Sequence, residues 1–414
     1  MSNKKRGFWF YTSRVMIVIA VILLLPFLIV YLAVPAYQFE EPKPFHGQYL
    51  YNPYQDINPE QWQKCNFHCH SRKYFGITNG RNSKETVIDS VYAVLGYNHA
   101  GISDYMSINP HNSDKEDYIP AYEHGYGLFR KTHQLCIGAE KVCYLDYPFM
   151  QSLEMKQHLL NKLSETTRFA VPVHASFTTG YREKEMIYLS NYRLLEICNP
   201  YGNAIRHWDM ALSNGHRVYA IGDDDTHNIN NPHEVCLNLN MINSALNTDS
   251  ILDALDKGQN YTVEFDNYYT YHLSIDKRAE RLKNLPHLTM AKLFGDTLTI
   301  TTSAEQIDTV RFIGQNGQIL STLANVDTAR YIITDNDTYI RSVLTFNYGQ
   351  NLYLNPVTRH ATPQPVDRRL DSVNTARTLM TRFVLIAAAI ALIYYLIKKG
   401  KEKKGPTQNE NSQE

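Results

Sequence analysis

The sequence predicts an α/β chain in which a parallel β-sheet or barrel is followed by a small all-β module, with an apolar helix near each end. Strand-like and helix-like stretches alternate over residues 62–262, as in parallel α/β folds. Short alternating runs separated by Asn, Gly and Asp turns then fill residues 263–360, which is typical of a small sandwich. Two long apolar runs complete the pattern.

The first apolar run, residues 15–34, contains no charged residue and is long enough to cross a bilayer. Lysine and arginine residues within 1–14 precede it. A cleaved signal peptide is the alternative, but the run is long for one and the small-residue cleavage site after it is poor. We therefore predict an uncleaved membrane helix, followed over residues 35–61 by a linker rich in Pro, Tyr and acidic residues.

The second apolar run, residues 379–397, follows a polar linker at 361–378 and spans a bilayer if Arg382 snorkels to the interface. A helix packed on the globular part is the alternative. A basic tail, 398–414, comes next. Positive charge outside both runs predicts that both tails are cytoplasmic and that the middle of the chain lies across the membrane. Arginines within 361–382 oppose this orientation.

Charge and cysteine content narrow the class of protein. The 41 basic and 41 acidic residues give a formal net charge of zero, so no basic surplus favours a nucleic-acid partner. The six cysteines include no Cys-x-x-Cys pair. An exported domain could join Cys136 to Cys143, which the sequence leaves open, and buried free thiols are the expectation for most of the six.

Within the α/β region we predict strands over 64–70, 99–105, 134–142, 168–177, 193–200 and 217–227, and helices over 83–96, 150–166 and 204–215. We expect the segment 118–133 to be helical in part. The hairpin turn at Gln315-Asn316-Gly317-Gln318 belongs to the β module, where Asn-Gly suits positive φ angles.

Polar side chains gather where the predicted strands end, which is where parallel barrels build their sites. In chain order they are His68, His70, Asp104, Glu140, His174, Glu196, Asn199, Asp225 and His227. Alone, a His-x-His pair arises about 0.6 times by chance at this histidine content, and a single histidine or turn acid is commonly only a surface residue. Their recurrence at nearly every strand end favours a metal site, because imidazole and carboxylate suit zinc, manganese or iron.

These segments resemble the PHP (polymerase and histidinol phosphatase) family of metal-dependent phosphoesterases over residues 62–262. The motifs appear as NFHCHS, GYNHAGISDYMSI, CIGAEKV, VPVHASF and RVYAIGDDDTHN. The β module is similar to the accessory domain that follows exported members. The resemblance implies a distorted seven-stranded (β/α) barrel with one to three divalent ions (Zn, Mn or Fe) at its mouth.

The resemblance also implies roles for single residues. His68, His70 and Asp225 would bind one ion, Glu140 would bridge ions, and His174 and His227 would bind a second and third. Asp104 would be a ligand or would orient a histidine. Three positions depart from the family pattern: Tyr105 replaces a histidine, Asn79 stands where an Asp or His is usual, and Asn199 stands where some members have a histidine.

The implied activity is that of a membrane-anchored, metal-dependent hydrolase of a small phosphorylated or ester substrate. His174 or His227 would be the general acid, and Asp225 would accept a proton from water. Two alternatives stay open: hydrolysis of carbamates or other esters, and a degenerate module that binds a ligand at the membrane without catalysis.

Overall fold

The chain divides into two compact units, residues 39–371 and residues 1–38 with 372–414. The structure is a computed structural model that describes residues 15, 16, 19, 23, 25–27, 29–76, 80–266, 270–347 and 349–402. Each unit is described by itself below.

The larger unit is a mixture of strands and helices, which confirms the α/β class. Its first half contains β2 (Tyr49–Tyr51), β3 (Trp62–Asn66), α1 (Glu85–Val94), β4 (His99–Ala100), β5 (Ala121–His124), β6 (Gln134–Ala139), α2 (Leu153–Leu163), β7 (Thr167–Pro172), β8 (Leu194–Cys198), α3 (Ile205–Ser213) and β9 (Tyr219–Gly222). Its second half contains β10 (Asn238–Asn243), α4 (Thr248–Lys257), β11 (Asn260–Phe265), α5 (Ile275–Lys283), β12 (Leu288–Phe294), β13 (Thr297–Thr302), β14 (Ile307–Ile313), β15 (Ile319–Val326), β16 (Thr328–Ile332), β17 (Tyr339–Phe346) and β18 (Gln350–His360).

A nine-stranded sheet runs through this unit in the order β15-β14-β17-β18-β11-β10-β3-β4, with β2 added at β18. All its pairs are antiparallel except β3 with β4. The predicted boundary between residues 262 and 263 lies inside β11, where Thr262 pairs with Tyr353 and Val263 with Leu352. Strand β3 and the β module therefore share one hydrogen-bonded sheet.

Three smaller sheets complete the unit: β12-β13-β16, β5-β6-β7 and β8-β9. The β8-β9 pair is parallel, whereas β6 is antiparallel to both β5 and β7. A closed seven-stranded parallel barrel is therefore not confirmed. The prediction that segment 118–133 is partly helical is wrong, because Ala121–His124 form β5 and no residue of the segment is helical.

Local sequence explains several element ends. Asn247 caps α4 by accepting a hydrogen bond from the Ser250 backbone N–H, and Gly258 ends the helix with φ 73°. A Cβ at Gly258 would lie 2.6 Å from the Tyr219 ring, so this end also needs glycine for close approach. All six cysteines are free, and every one except half-buried Cys143 is buried.

The smaller unit contains α6 (Thr375–Glu402), while β1 (Tyr37–Phe39) and β19 (Asp371–Val373) form a two-stranded sheet. Among the described residues, one segment, Thr375–Tyr395, is long and apolar enough to cross a membrane by length and composition. It overlaps the predicted span at 379–397. In the predicted N-terminal span, 15–34, residues 17, 18, 20–22, 24 and 28 lie outside the described residues.

Candidate metal centre

His68 and His70 follow β3 directly and lie in the interior of the protein, both with no exposed surface. Their ring centroids are 5.3 Å apart. The His70 N–H donates to the Thr226 carbonyl at 2.8 Å, which ties this segment to the loop after β9. That tie brings Asp225, which has a φ of 47°, against both imidazoles. A non-glycine residue in this conformation is strained, and such strain is common at functional sites.

Four side chains converge on one point: His68, His70, Asp225 and Glu123, the last from β5. His68 Nε2 lies 3.3 Å from Glu123 Oε2 and 3.2 Å from Asp225 Oδ1. His70 Nε2 lies 3.1 Å and 3.2 Å from the same two oxygens. Ligands at about 2.0–2.1 Å from a tetrahedral ion are about 3.3–3.4 Å from one another. The four distances therefore match the edges of a tetrahedral coordination site.

Two of the atoms that converge here lack a hydrogen-bond partner in the described part of the chain and could each bind an ion. His68 Nε2 and Glu123 Oε2 are fully buried and have no hydrogen-bond partner among the described residues. Buried polar atoms without partners are costly, so the convergence of these two atoms fits a cation site better than a packed core. The residues present fit a divalent cation.

A second group shares the same glutamate. Glu123 Oε1 lies 2.5 Å from His133 Nδ1 and 3.1 Å from His174 Nε2, and all three residues are buried. His174, which follows β7, has a φ of 33°. The two carboxylate oxygens of Glu123 thus face two different sets of imidazoles. Glu123 could therefore contribute one oxygen to each of two ligand groups.

The structure corrects the prediction that Glu140 is the bridging acid. Glu140 is exposed and lies beside Thr166, whose carbonyl accepts its N–H at 2.9 Å. In the antiparallel register Ala139 pairs with Thr167 and Gln134 with Pro172. The carboxyl end of β6 therefore lies at the opposite edge from His174, because β6 does not run parallel to β7.

The antiparallel register also explains why sequence reasoning missed Glu123 and His133. Glu123 lies near the end of β5, where it pairs with Leu135, and His133 immediately precedes β6. The carboxyl end of β5 and the amino end of β6 therefore lie at the sheet edge where His174 follows β7. The sequence feature that could have indicated Glu123 is the run Tyr122-Glu123-His124 between small residues, which is compatible with a short strand that carries buried polar side chains.

Glu196 orients His68 through the ring nitrogen that does not face Glu123 and Asp225. Its Oε1 lies 2.9 Å from His68 Nδ1, and its Oε2 accepts from the His174 backbone N–H at 2.7 Å and from Asn199 Nδ2 at 2.9 Å. A carboxylate only accepts, so His68 Nδ1 carries the hydrogen and Nε2 is left with a free lone pair. Glu196 and Asn199 therefore orient ligands and do not belong to either ligand group.

Asp104 also supports the site without joining a ligand group. Its carboxylate accepts from the Ser71 backbone N–H and hydroxyl, both at 2.8 Å, and from Asn109 Nδ2 at 2.9 Å. Since Ser71 follows His70, this fixes the end of the ligand segment. Tyr105 stacks on His70 with centroids 4.5 Å apart and rings 22° from parallel. Asn79 lies outside the described residues.

His227 lies beside the cluster rather than in it. Its ring centroid is 4.3 Å from that of His70, and Tyr105 Oη is 3.3 Å from its Nε2. Its side chain is 29% exposed, whereas the ligand histidines are buried, so it faces the cavity next to the centre. Burial and the neighbouring His70 lower the pKa of His227.

The electrostatics of the cluster favour a cation. Burial lowers the pKa of His70, but hydrogen bonds to Asp225 and Glu123 outweigh burial and raise it to about 9. Burial likewise raises the pKa of Glu123, yet His133 and His68 hold it well below its usual range. The carboxylates therefore stay ionised and attract positive charge, which a proton or a metal ion can supply.

No protein-family model matches the chain, and no curated protein matches it at a significant level. Among solved structures, the chain is similar to a two-domain protein from Bacteroides vulgatus ATCC 8482 that contains a predicted PHP-like metal-dependent phosphoesterase. The two are 12% identical, the alignment covers 81% of this chain and 99% of that chain, and the TM-score is 0.37. A likeness this low carries no argument about activity, which rests on the geometry of the site.

Proposed function

We propose that this protein is a metal-dependent hydrolase that acts on phosphoester bonds. The observation that carries the proposal is Glu123, whose Oε2 faces His68 and His70 and whose Oε1 faces His133 and His174. Two ligand groups joined by one carboxylate suit a pair of ions. Paired ions are a recurrent device for in-line displacement at phosphorus.

The ligand sets of the two groups differ. His68, His70 and Asp225 would hold one ion, His133 and His174 the other, with Glu123 shared between them. Divalent ions held here would supply Lewis acidity, which activates water near neutral pH and neutralises negative charge on the phosphoryl group. Imidazole and carboxylate ligands suit Zn²⁺, Mn²⁺ or Fe²⁺.

Two residues are assigned proton transfer. Asp225 Oδ1 contacts both imidazoles of the first group, and its Oδ2 contacts Asn199 Nδ2 at 3.4 Å, so Oδ2 is the oxygen available to accept a proton from water. His227 lines the cavity and would donate a proton to the leaving oxygen when its ring is protonated. His174, predicted as an alternative acid, is buried against Glu123 and serves better as a ligand.

Release of p-nitrophenol by the full-length protein in detergent tests this function. We expect release from p-nitrophenyl phosphate or its diester only after Mn²⁺ or Zn²⁺ is added to chelator-treated protein. Glu123→Gln should abolish it, while Glu140→Gln, an equivalent change at an exposed glutamate, should leave it intact. Metal-loaded protein that is inert on mono-, di- and triesters would refute the phosphoesterase assignment.

We also propose that α6 anchors the protein in a membrane, with the metal centre on the non-cytoplasmic side. The apolar segment Thr375–Tyr395 and the lysines that follow it support this orientation. Protease added outside sealed cells stripped of any outer envelope should cleave the larger unit and spare a tag at the C-terminus. Release of intact protein by alkaline carbonate washing would contradict the anchor.

A further inference from the structure

A cavity of about 730 Å³ opens beside the metal centre, large enough for a small organic ligand. His133, His174, Asp225 and His227 form its inner end, so whatever fills it lies against the proposed reaction site. The rest of its wall is mainly aromatic, and the six rings are Tyr74, Tyr105, Tyr126, Tyr144, Phe177 and Tyr201.

Part of the aromatic wall is in ring contact with the histidines of the cluster. The His227 ring is 5.9 Å from that of Tyr201 at 90°, and Tyr201 is 5.5 Å from Phe177. Tyr74 lies next to Tyr105, because the Tyr74 hydroxyl donates a hydrogen bond to the Tyr105 carbonyl at 3.3 Å. The two ring distances lie within the usual range of aromatic pairs, so a planar ligand can stack beside these rings.

The outer tyrosines have free ring surface. Tyr74 and Tyr126 are each 51% exposed, Tyr144 is 69% exposed and Tyr201 is 39% exposed. Scattered exposed side chains of this kind need no explanation, but these four converge on one cavity that ends at buried metal ligands. Among the described lining residues, Met106 is the only aliphatic side chain larger than glycine, and Lys131 is the only lysine or arginine.

We propose that the substrate is a phosphate ester whose organic part carries a planar aromatic ring, which stacks on the tyrosines of this cavity. The inference rests on the proposed hydrolase and names its substrate class. Water adds to phosphorus, the P–O bond to the organic part breaks, and the ring-bearing alcohol leaves with one proton. Lys131 adds a positive charge that complements the anionic ester. An aliphatic substrate would instead favour a wall of leucine, isoleucine and valine.

Two phosphonates that cannot be hydrolysed provide the test, because binding then needs no turnover. 2-Phenylethylphosphonate and 2-cyclohexylethylphosphonate have the same charge and carbon skeleton and differ in ring planarity. We expect titration calorimetry on Mn²⁺-loaded full-length protein to show a tighter dissociation constant for the phenyl compound, by roughly 5- to 100-fold, the range of one ring stacking on an aromatic side chain.

Paired variants assign the preference to the cavity. Tyr126→Leu with Tyr144→Leu should remove most of the phenyl preference, and Tyr126→Phe with Tyr144→Phe should keep it, because phenylalanine retains the ring. Tyr49→Leu, at a partly exposed tyrosine outside the cavity, is the matched control. Equal binding of the two phosphonates, tighter binding of the cyclohexyl compound, binding of neither, or a preference that survives the leucine pair would overturn the proposal.

A separate measurement tests the proposed hydrolase activity. Hydrolysis of 2-phenylethyl phosphate and 2-cyclohexylethyl phosphate is measured in parallel, since both release alkanols of similar reactivity. A phenyl preference in binding without hydrolysis of either ester would refute the hydrolase and leave the ring site standing. Hydrolysis of both esters without a preference would refute the ring site alone.

Discussion

Glu196→Gln is the substitution that probes the metal centre with the least disturbance of shape. Glu196 Oε2 accepts from two donors, the His174 N–H and Asn199 Nδ2, and Oε1 accepts from His68 Nδ1. Glutamine has only one accepting oxygen. If that oxygen keeps the two donors on the Oε2 side, the amide NH₂ faces His68 Nδ1.

This substitution would change the tautomer of His68. Facing an NH₂ group, Nδ1 must become an acceptor, so the ring hydrogen moves to Nε2, the atom that points at Glu123 and Asp225. A protonated Nε2 cannot bind an ion. Loss of a carboxylate that orients a ligand histidine typically weakens metal affinity about 10- to 100-fold, about 1.4 to 2.7 kcal/mol.

Titration calorimetry with Zn²⁺ on chelator-treated full-length protein measures this loss. Glu264→Gln is the matched control, because the Glu264 carboxylate accepts hydrogen bonds from Asn203 and Tyr353 and belongs to neither ligand group. We expect Glu264→Gln to bind Zn²⁺ like the parent protein. A Glu196→Gln affinity within twofold of the parent would refute the tautomer reasoning.

Two further predictions concern stability. Asp104→Asn should lower the free energy of unfolding by about 1–3 kcal/mol in urea titrations, because the new amide NH₂ faces a buried donor whichever oxygen it replaces: the Ser71 backbone N–H at Oδ1, or the Ser71 hydroxyl and Asn109 Nδ2 at Oδ2; an unchanged urea midpoint would contradict this. Burial and then the Arg217 cation lower the pKa of His360 from 6.5 to about 4, so neutral His360 stabilises the fold above pH 6.5 and this contribution is lost as pH falls toward 4. His360→Phe should therefore flatten the fall in the free energy of unfolding between pH 6.5 and 4, by about 1–3 kcal/mol at the acid end. An equally steep slope in His360→Phe would contradict the assignment.

Much of the secondary structure was predictable because hydrophobic periodicity is local. The predicted helices at 83–96, 150–166 and 204–215 correspond to α1, α2 and α3. The predicted strand at 64–70 contains β3, although the strand itself ends at Asn66 and His68 lies beyond it. Local pattern thus located the segment that carries the His-x-His pair.

The direction of each strand was not predictable in the same way, and the site depends on it. A uniformly parallel order sends every strand's carboxyl end to one edge, and Glu140 would then join His174. With β6 reversed, the amino end of β6 reaches that edge and brings His133, while β5 brings Glu123. Strand pairing is decided by contacts between distant segments, which a single sequence does not display.

The boundary predicted between the α/β region and the β module was also not decided by local sequence. The predicted change of pattern near residue 263 has a structural counterpart, since most elements that follow α4 are strands. Pairing of β11 with both β10 and β18 joins the two regions into one sheet. The change in hydrophobic pattern along this sequence therefore does not mark the edge of a hydrogen-bonded sheet.

Metal content is the most direct measurement of the central claim, that Glu123 joins two ion-binding groups. Full-length protein incubated with Zn²⁺ and passed through a desalting column is analysed by plasma emission spectrometry, beside the variants Glu123→Gln and Glu140→Gln. We predict about two ions per chain in the parent protein and in Glu140→Gln, and one or none in Glu123→Gln. Equal metal content in the parent and Glu123→Gln, or loss of metal in Glu140→Gln, would contradict the account.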